Sequence, residues 1–268
     1  MNRNIVSSCG KVLLLSGGLL FSSCLFADST SSSPMAGWYV GLGGGWVHQL
    51  DNSLQNAVLP YTQNGIVPIA PDTLINNKAN GDSAAWFVEG GYQFVVPEHY
   101  FPSYRLGLSY EGSSEQSVSG TIDQNTQGVP ASQLQTYGFN VSSEALLVTG
   151  EADVGTWFSF TPFLHVGVGA SMNRGSGFST SSEQDLISFD NHTQTEFAYE
   201  VGPGLGYGVG SRFSVKLTAL YRDFGTASLG TGTRQNANSG PGAATTTFPG
   251  LGLTLQDVEV RLGVNYLI

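Results

Sequence analysis

The sequence predicts an all-β fold: an eight-stranded antiparallel up-and-down transmembrane β-barrel, with short turns at one end and four long loops at the other. Three observations carry this. Eight segments alternate apolar and polar residues, the period of a strand whose side chains point to opposite faces. Seven connectors join them in a short–long rhythm. The apolar face of segment after segment is rich in aromatics, whereas the opposite face carries Glu, Arg, Lys and Gly. A soluble barrel hides its apolar face. A membrane barrel turns it toward lipid and keeps the polar face for the lumen.

The first segment, Gly37 to Val47, puts Trp38, Val40, Leu42 and Trp46 outward, with Gly41, Gly43 and Gly45 inward. Glycine on the inner wall of a narrow barrel leaves room for large neighbours. The second, Ser83 to Phe94, turns Ala84, Trp86, Val88, Tyr92 and Phe94 out and Glu89, Gly91 and Gln93 in. The third, Tyr104 to Glu111, alternates Tyr104, Leu106, Leu108 and Tyr110 with Arg105, Gly107, Ser109 and Glu111. In the fourth, Val141 to Val154, Leu146, Val148, Ala152 and Val154 face out against Thr149, Glu151 and Asp153.

The fifth, Thr161 to Met172, turns Leu164, Val166, Val168 and Ala170 out and Phe163, His165, Gly167 and Gly169 in. The sixth, Glu196 to Tyr207, sets Phe197, Tyr199, Val201, Leu205 and Tyr207 against Glu200, Gly202, Gly204 and Gly206. Pro203 is awkward there, since a closed barrel has no free edge, and it suggests a bulge. The seventh, Phe213 to Phe224, turns Phe213, Val215, Leu217, Ala219 and Tyr221 out, and Ser214, Lys216, Thr218 and Arg222 in. The last alternates Val258, Val260, Leu262, Val264, Tyr266 and Ile268 with Glu259, Arg261, Gly263, Asn265 and Leu267. Segments near ten residues suit a tilted crossing. The long connectors are His48–Asp82, Gly112–Asn140, Asn173–Thr195 and Gly225 to about Gly252.

Aromatics test the topology independently. With the short turns on the periplasmic side, Trp38, Tyr92, Phe94, Tyr104, Phe160, Tyr207, Phe213 and Tyr266 fall near one membrane face. Trp46, Trp86, Tyr110, Tyr199 and Tyr221 fall near the other. Aromatic side chains gather at the two lipid–water interfaces in this way. A soluble sandwich needs no two-belt spacing.

Charged residues are 11% of the 268, under half the usual share of about 25%. Mean hydropathy is -0.01, and 36 Gly and many uncharged polar residues make up the difference. The start reads as a secretory leader over residues 1–27: Arg3 and Lys11, an apolar run from Val12 to Phe21, and cleavage after Ala27. A rival site, Phe21-Ser22-Ser23-Cys24, resembles a lipoprotein box with Phe where Leu is usual. Residues 28–36 form a Ser-rich flexible lead-in, and 37–268 the barrel. Both cysteines, Cys9 and Cys24, lie in the leader, so the mature chain has no disulfide and no thiolate metal site. Losing Arg3 and Lys11 moves the formal charge from -10 to about -12, which disfavours nucleic acid as a partner. Bacterial export makes the sequons at Asn140 and Asn191 uninformative.

Gly37-Trp38-Tyr39-Val40-Gly41-Leu42-Gly43 resembles the opening strand of small outer-membrane barrels of the OmpA-like and opacity-protein type. Thr161-Pro162-Phe163-Leu164-His165-Val166-Gly167-Val168-Gly169 is similar to their fifth strand, and Leu220-Tyr221-Arg222-Asp223-Phe224-Gly225 to the end of their seventh. The resemblance covers the mature chain as architecture. It implies a monomer in the bacterial outer membrane, inserted by the barrel-insertion machinery, in contact with lipid and lipopolysaccharide and, through its loops, with host or cell surfaces. Two features depart from the pattern: Ile268 stands last where Phe is typical of the insertion signal, and no peptidoglycan-binding domain follows, so wall anchoring is not implied.

The lumen set is Glu89, Arg105, Glu111, Glu151, Asp153, His165, Glu200, Lys216, Arg222, Glu259 and Arg261. An eight-stranded barrel is just wide enough for side chains to fill. Opposite charges side by side then read as a salt-bridged plug, the alternative being a narrow ion path gated by those pairs. A third reading is a lipid A-modifying enzyme working through His165. It needs a nucleophile and base in reach, plus an orienting group; no such set stands on the neighbouring strands. His48, His99 and His192 fall in connectors without metal-ligand spacing, and the Gly-x-Gly strings lack the context of a nucleotide loop. The sequence therefore predicts no catalytic, cofactor or metal residues. The first loop, with Leu54, Val58, Leu59, Tyr61, Ile66, Val67, Ile69, Leu74 and Ile75, either folds over the mouth or offers an apolar patch.

Overall fold

The computed structural model describes residues 35–50, 53–59, 72–79, 82–96, 102–123, 135–155, 159–181, 185–236 and 246–268. The expected leader 1–27, its cleavage site, Cys24 and residues 28–34 of the lead-in lie outside the described residues, as do His99, Tyr61, Ile66, Val67 and Ile69. No helix occurs among the described residues.

Eight strands form the ring: β1 (Gly37–Gln49), β2 (Asp82–Val95), β3 (Ser103–Ser113), β4 (Gln135–Asp153), β5 (Phe160–Thr180), β6 (His192–Val209), β7 (Phe213–Ser228) and β8 (Gly252–Leu267). Each pairs antiparallel with the next, and β1 pairs with β8, so the sheet closes on itself. Closure leaves the ring without a free edge, which a bilayer demands because it offers no water to unpaired backbone groups.

The register fixes the tilt. Tyr39 pairs with Gly91, Gly91 with Gly107, Gly107 with Thr149 and Thr149 with Gly167. The path continues through Glu200, Arg222 and Asp257 and reaches Gln49. One circuit thus climbs from residue 39 to residue 49 of the same strand. A stagger of this size in eight strands corresponds to a tilt of roughly 40–45°.

The exterior of the ring is apolar. Trp38 is 64% exposed, Leu42 65% and Leu106 57%, while Glu111 and Glu259 are fully buried. Aromatic side chains gather at both rims. Trp38 meets Tyr92 edge-on at 5.3 Å and Phe213 lies 4.8 Å from Tyr266 at the periplasmic rim; Trp86 meets Tyr110 at 5.3 Å at the other.

The strands run longer than the sequence suggested, up to the 21 residues of β5. The excess lies at the outer end. Residues Gln116–Asp123 continue β3 along the edge of β4 after a one-residue slip, from the Gly112–Glu144 pair to the Gln116–Val141 pair. Asp72–Ala79 continues the wall beyond β2 and pairs with Gln116–Asp123. Parts of the first two long connectors are therefore barrel wall. A separate three-stranded sheet, Asp185–Phe189, Gly232–Asn236 and Thr246–Phe248, is built from the third and fourth connectors.

Pro203 marks no bulge. The β6–β7 ladder skips Gly202 and Pro203 and resumes at Gly204–Thr218 in unchanged register, while Pro203 still sits opposite Leu164 on β5. The slip falls instead between Asp223 and Thr226 of β7, where Gly225 has a φ of 77°, a conformation that glycine adopts without strain. His48 and His192 stand on β1 and β6 rather than in connectors.

Candidate functional site

The inward positions of the ring converge on one line of alternating charges. Lys216 lies 2.7 Å from Glu151 and 3.4 Å from Glu89. Arg105 is 2.7 Å from Glu151, and its Nε donates to Gln93 at 2.7 Å. His165 places Nε2 2.7 Å from Glu200 and Nδ1 3.3 Å from Glu151. Arg261 reaches Glu200 at 3.2 Å, Glu259 at 3.0 Å and Glu111 as well. Arg222 closes the line against Glu259 and, at 2.7 Å, Asp257. Asp153 stands apart near the periplasmic end and accepts from Ser103.

Local structure explains why these groups meet. The staggered register brings β4, β5 and β6 together at Thr149, Gly167 and Glu200, so the small Gly167 leaves the space that Glu200 occupies. A Cβ there would lie 2.8 Å from the Glu200 side chain, and one at Gly45 would lie 2.2 Å from Glu259 Oε1. Large aromatics fill the remaining lumen. Phe87 lies under Arg261 at 4.6 Å, Phe163 near Lys216 at 5.5 Å and Tyr39 at 5.7 Å. A Cβ on Gly204 would lie 2.1 Å from the Phe163 ring. Such packing leaves Lys216 and Arg261 both paired and close to an aromatic ring, a condition under which a buried charge is tolerable.

Asp257, Asn265, Ser103 and Gln93 belong to the same construction; the sequence puts Gln93 and Asn265 on the inward face but outside the charged set, and it does not place Asp257 or Ser103. Asn265 donates to Glu89 at 2.8 Å. The signal for Asp257 and Asn265 was parity: both share the inward face of β8 with Glu259 and Arg261.

Above the charges the lumen changes character. Val141, Ala145 and Leu147 of β4, Ala198, Phe224, Ala227, Leu253 and Leu255 form an apolar plug with Leu59, Leu74, Val118, Ile122, Tyr137 and Phe139. Ile187, Phe189 and Phe248 of the small sheet, with Leu229 and Leu251, complete it. The first connector thus contributes Leu59 and Leu74, with Leu54 packed against the cluster, whereas Val58 is 49% exposed. Arg234, on the fourth connector, reaches Asp72, on the first, at 2.5 Å, and both are buried. At the boundary the Phe224 carbonyl accepts from Ser171 at 2.7 Å, which satisfies a backbone group freed by the bulge.

A closed ring with lipid-type side chains outside and ion pairs inside settles the architecture. The chain has the fold of a small outer-membrane β-barrel of the OmpA-like and opacity-protein type. No family model matches the chain, and neither does any curated protein. Among solved structures it is similar to the outer membrane protein OprG from Pseudomonas aeruginosa, at 12% identity over 88% of this chain and 99% of that one, with a TM-score of 0.49. It is also similar to the outer membrane protease OmpT from Escherichia coli, at 10% identity over 87% and 96%, with a TM-score of 0.46. Neisserial surface protein A gives 12% identity over 87% and 99%, with a TM-score of 0.42. These likenesses concern the fold and leave function to the residues.

Chemically, His165 faces two carboxylates and is buried. Its geometry is that of a bridging group inside an ion-pair line. Among the described residues no group of His, Cys, Asp and Glu is arranged to hold a metal ion.

Proposed function

We propose that this is a non-enzymatic, structural barrel of the bacterial outer membrane, exported through a leader cleaved after Ala27, monomeric, and carrying an ordered outer cap for contacts at the cell surface. One observation carries the reading: the lumen is filled twice over, by the charge line from Glu89 to Asp257 and by the apolar plug above it. An ion crossing this barrel would have to break buried pairs, each worth several kcal/mol to keep, and then cross a dry apolar layer. The ion-path reading is disfavoured on both counts. Catalysis through His165 lacks support because carboxylates, rather than a hydroxyl nucleophile, occupy both of its ring nitrogens.

The test is a planar-bilayer recording with the purified, refolded protein. The expected result is a silent membrane. Steady conductance steps from the wild type would overturn the plug. A His165→Gln variant with an unchanged lipid A mass spectrum is the expected outcome for the enzyme reading.

A further inference from the structure

A cavity lies where the charge line meets the apolar plug. Gln49, Ser113, Gln116, Ser143 and Asp257 line it on one side, and Val141, Phe224 and Leu255 close it on the other. Its volume of about 10 Å³ admits one water-sized occupant. The staggered ladders bring these residues together: Gln116 pairs with Val141 of β4, Gln49 of β1 with Asp257 of β8, and Asp257 with Arg222 of β7. We propose that this cavity binds a single dehydrated monovalent cation of the size of sodium, held between the ion pairs and the plug. The proposal goes beyond the structural reading above, which gives the lumen no ligand.

Hydrogen bonding argues first. Gln116 is 6% exposed, and its Nε2 donates to Ser83 at 2.8 Å. Its Oε1 is buried with no hydrogen-bond partner. Ser143 is buried too, and its hydroxyl donates to Asn173 at 2.6 Å. The Asp257 carboxylate can only accept. Three groups that line one small space thus have lone pairs left and no hydrogen to give. A single water has two hydrogens for three acceptors, and an unmet buried acceptor is costly. A cation serves all three at once, and oxygen atoms are the ligands that hard cations take. One carboxylate with neutral amide and hydroxyl oxygens is a set distinct from the His and Cys groups that hold transition metals.

Charge argues second. At this end of the line the carboxylates Glu111, Glu200, Asp257 and Glu259 face the guanidiniums Arg222 and Arg261. His165 touches Glu200 but is shared with Glu151. Even a protonated His165 leaves one negative charge over. Glu111 stands two residues before Ser113 on the same inward face, and its Oε1 has no hydrogen-bond partner. A buried charge without a counterion is expensive. One added positive charge restores the balance. A proton on a carboxylate would restore it as well, yet would leave Gln116 and Ser143 unmet, and a divalent ion would overshoot.

The experiment refolds the full mature protein from urea into detergent in radiolabelled sodium chloride, so that the ion need not cross the plug. Equilibrium dialysis then reads the bound label. The expected result is saturable binding of about one sodium per barrel, displaced by unlabelled sodium but not by the bulky N-methylglucamine cation. Gln116→Leu is expected to weaken binding about ten-fold and Ser143→Ala about three-fold, whereas Ser117→Ala on the exposed outer face leaves it unchanged. The temperature of the gel-mobility shift should rise with sodium at fixed chloride, and less so in Gln116→Leu. No saturable binding by the wild type would mean that a water or a proton meets these acceptors, and overturns the proposal. Binding that both variants retain at wild-type strength places the ion elsewhere and overturns it too. Should Gln116→Leu fail to show heat-dependent mobility, Ser143→Ala decides.

Discussion

Strand β4 is two strands in one. Along its lower half Thr149, Glu151 and Asp153 point into the lumen, and Leu146 and Val148 point out. Along its upper half the polarity reverses: Tyr137, Phe139 and Val141 point in, and Thr136 and Asn140 point out. The alternation never breaks, and the change of sign falls around Ser142 to Ala145. What differs is the medium outside. Against hydrocarbon the apolar side must face outward, leaving the lumen to groups that pair with each other. Against an aqueous or saccharide layer the hydrophobic effect returns to its ordinary direction and builds a core inside. A single wall therefore records where the membrane ends.

Five predictions break or sharpen this comparison. The largest effect is expected from Arg261→Leu, which leaves Glu111 without its ion-pair partner and takes one cation away from Glu200 and Glu259 in the lower half. It should cost about 3–5 kcal/mol and lower the temperature at which gel mobility shifts. Phe139→Ala in the upper half should cost a similar sum of about 3–5 kcal/mol, yet spend it locally. Protease should then cut the cap while the ring keeps its unboiled mobility; loss of both together would mean that the two halves unfold as one.

A matched pair reads the medium directly. Val148→Arg on the lower outward face should cost about 2–4 kcal/mol, whereas Asn140→Arg on the same face of the same strand should stay within about 0.5 kcal/mol. Urea titration in vesicles gives both values, and equal costs would remove the boundary. Gly204→Ala, whose new methyl meets the Phe163 ring, should cost about 1–3 kcal/mol in the same titration. The smallest effect concerns pH. Burial raises the Tyr137 phenol above its ordinary 10.0, so the proton is held more firmly in the folded cap than in the open one. That stability is fully present below about pH 10 and declines as pH rises beyond it. Protease nicking of the cap should accelerate as pH rises above about 10, and Tyr137→Phe should abolish the acceleration.

The lower half was legible in the sequence because its two faces differ so sharply. Leu106 against Arg105, or Val260 against Glu259 and Arg261, leaves little freedom in assigning sides. Turn positions followed from the short connectors. The upper half was not read as strand, although Val118 and Ile122, or Tyr137, Phe139 and Val141, carry the same period. Ser, Thr, Gly and Asn between them lower strand propensity, and the polarity is opposite to that of the segments on either side. The small sheet was hidden further, since Gly232-Thr-Arg-Gln-Asn236 has no apolar alternation at all; tertiary pairing with Asp185–Phe189 imposes its conformation. In the lumen, Asp257 escaped because the eighth segment was read from Val258 onward, one residue too late to count its partner for Arg222.

The stagger has a consequence for assembly. Because the hydrogen-bonded path climbs as it circles, the ionic contacts join residues far apart in the chain: Arg261 and Glu111 are 150 positions distant, and Lys216 and Glu89 are 127. An incomplete arc lacking β8 would present Glu111, Glu200 and Arg222 with no counterion from Arg261, Glu259 or Asp257. Half-built intermediates are thereby penalised inside a bilayer, and β8, the last ring strand in chain order, is the one that completes the pairs of Glu111, Glu200 and Arg222. Insertion and the completion of these pairs become a single cooperative event.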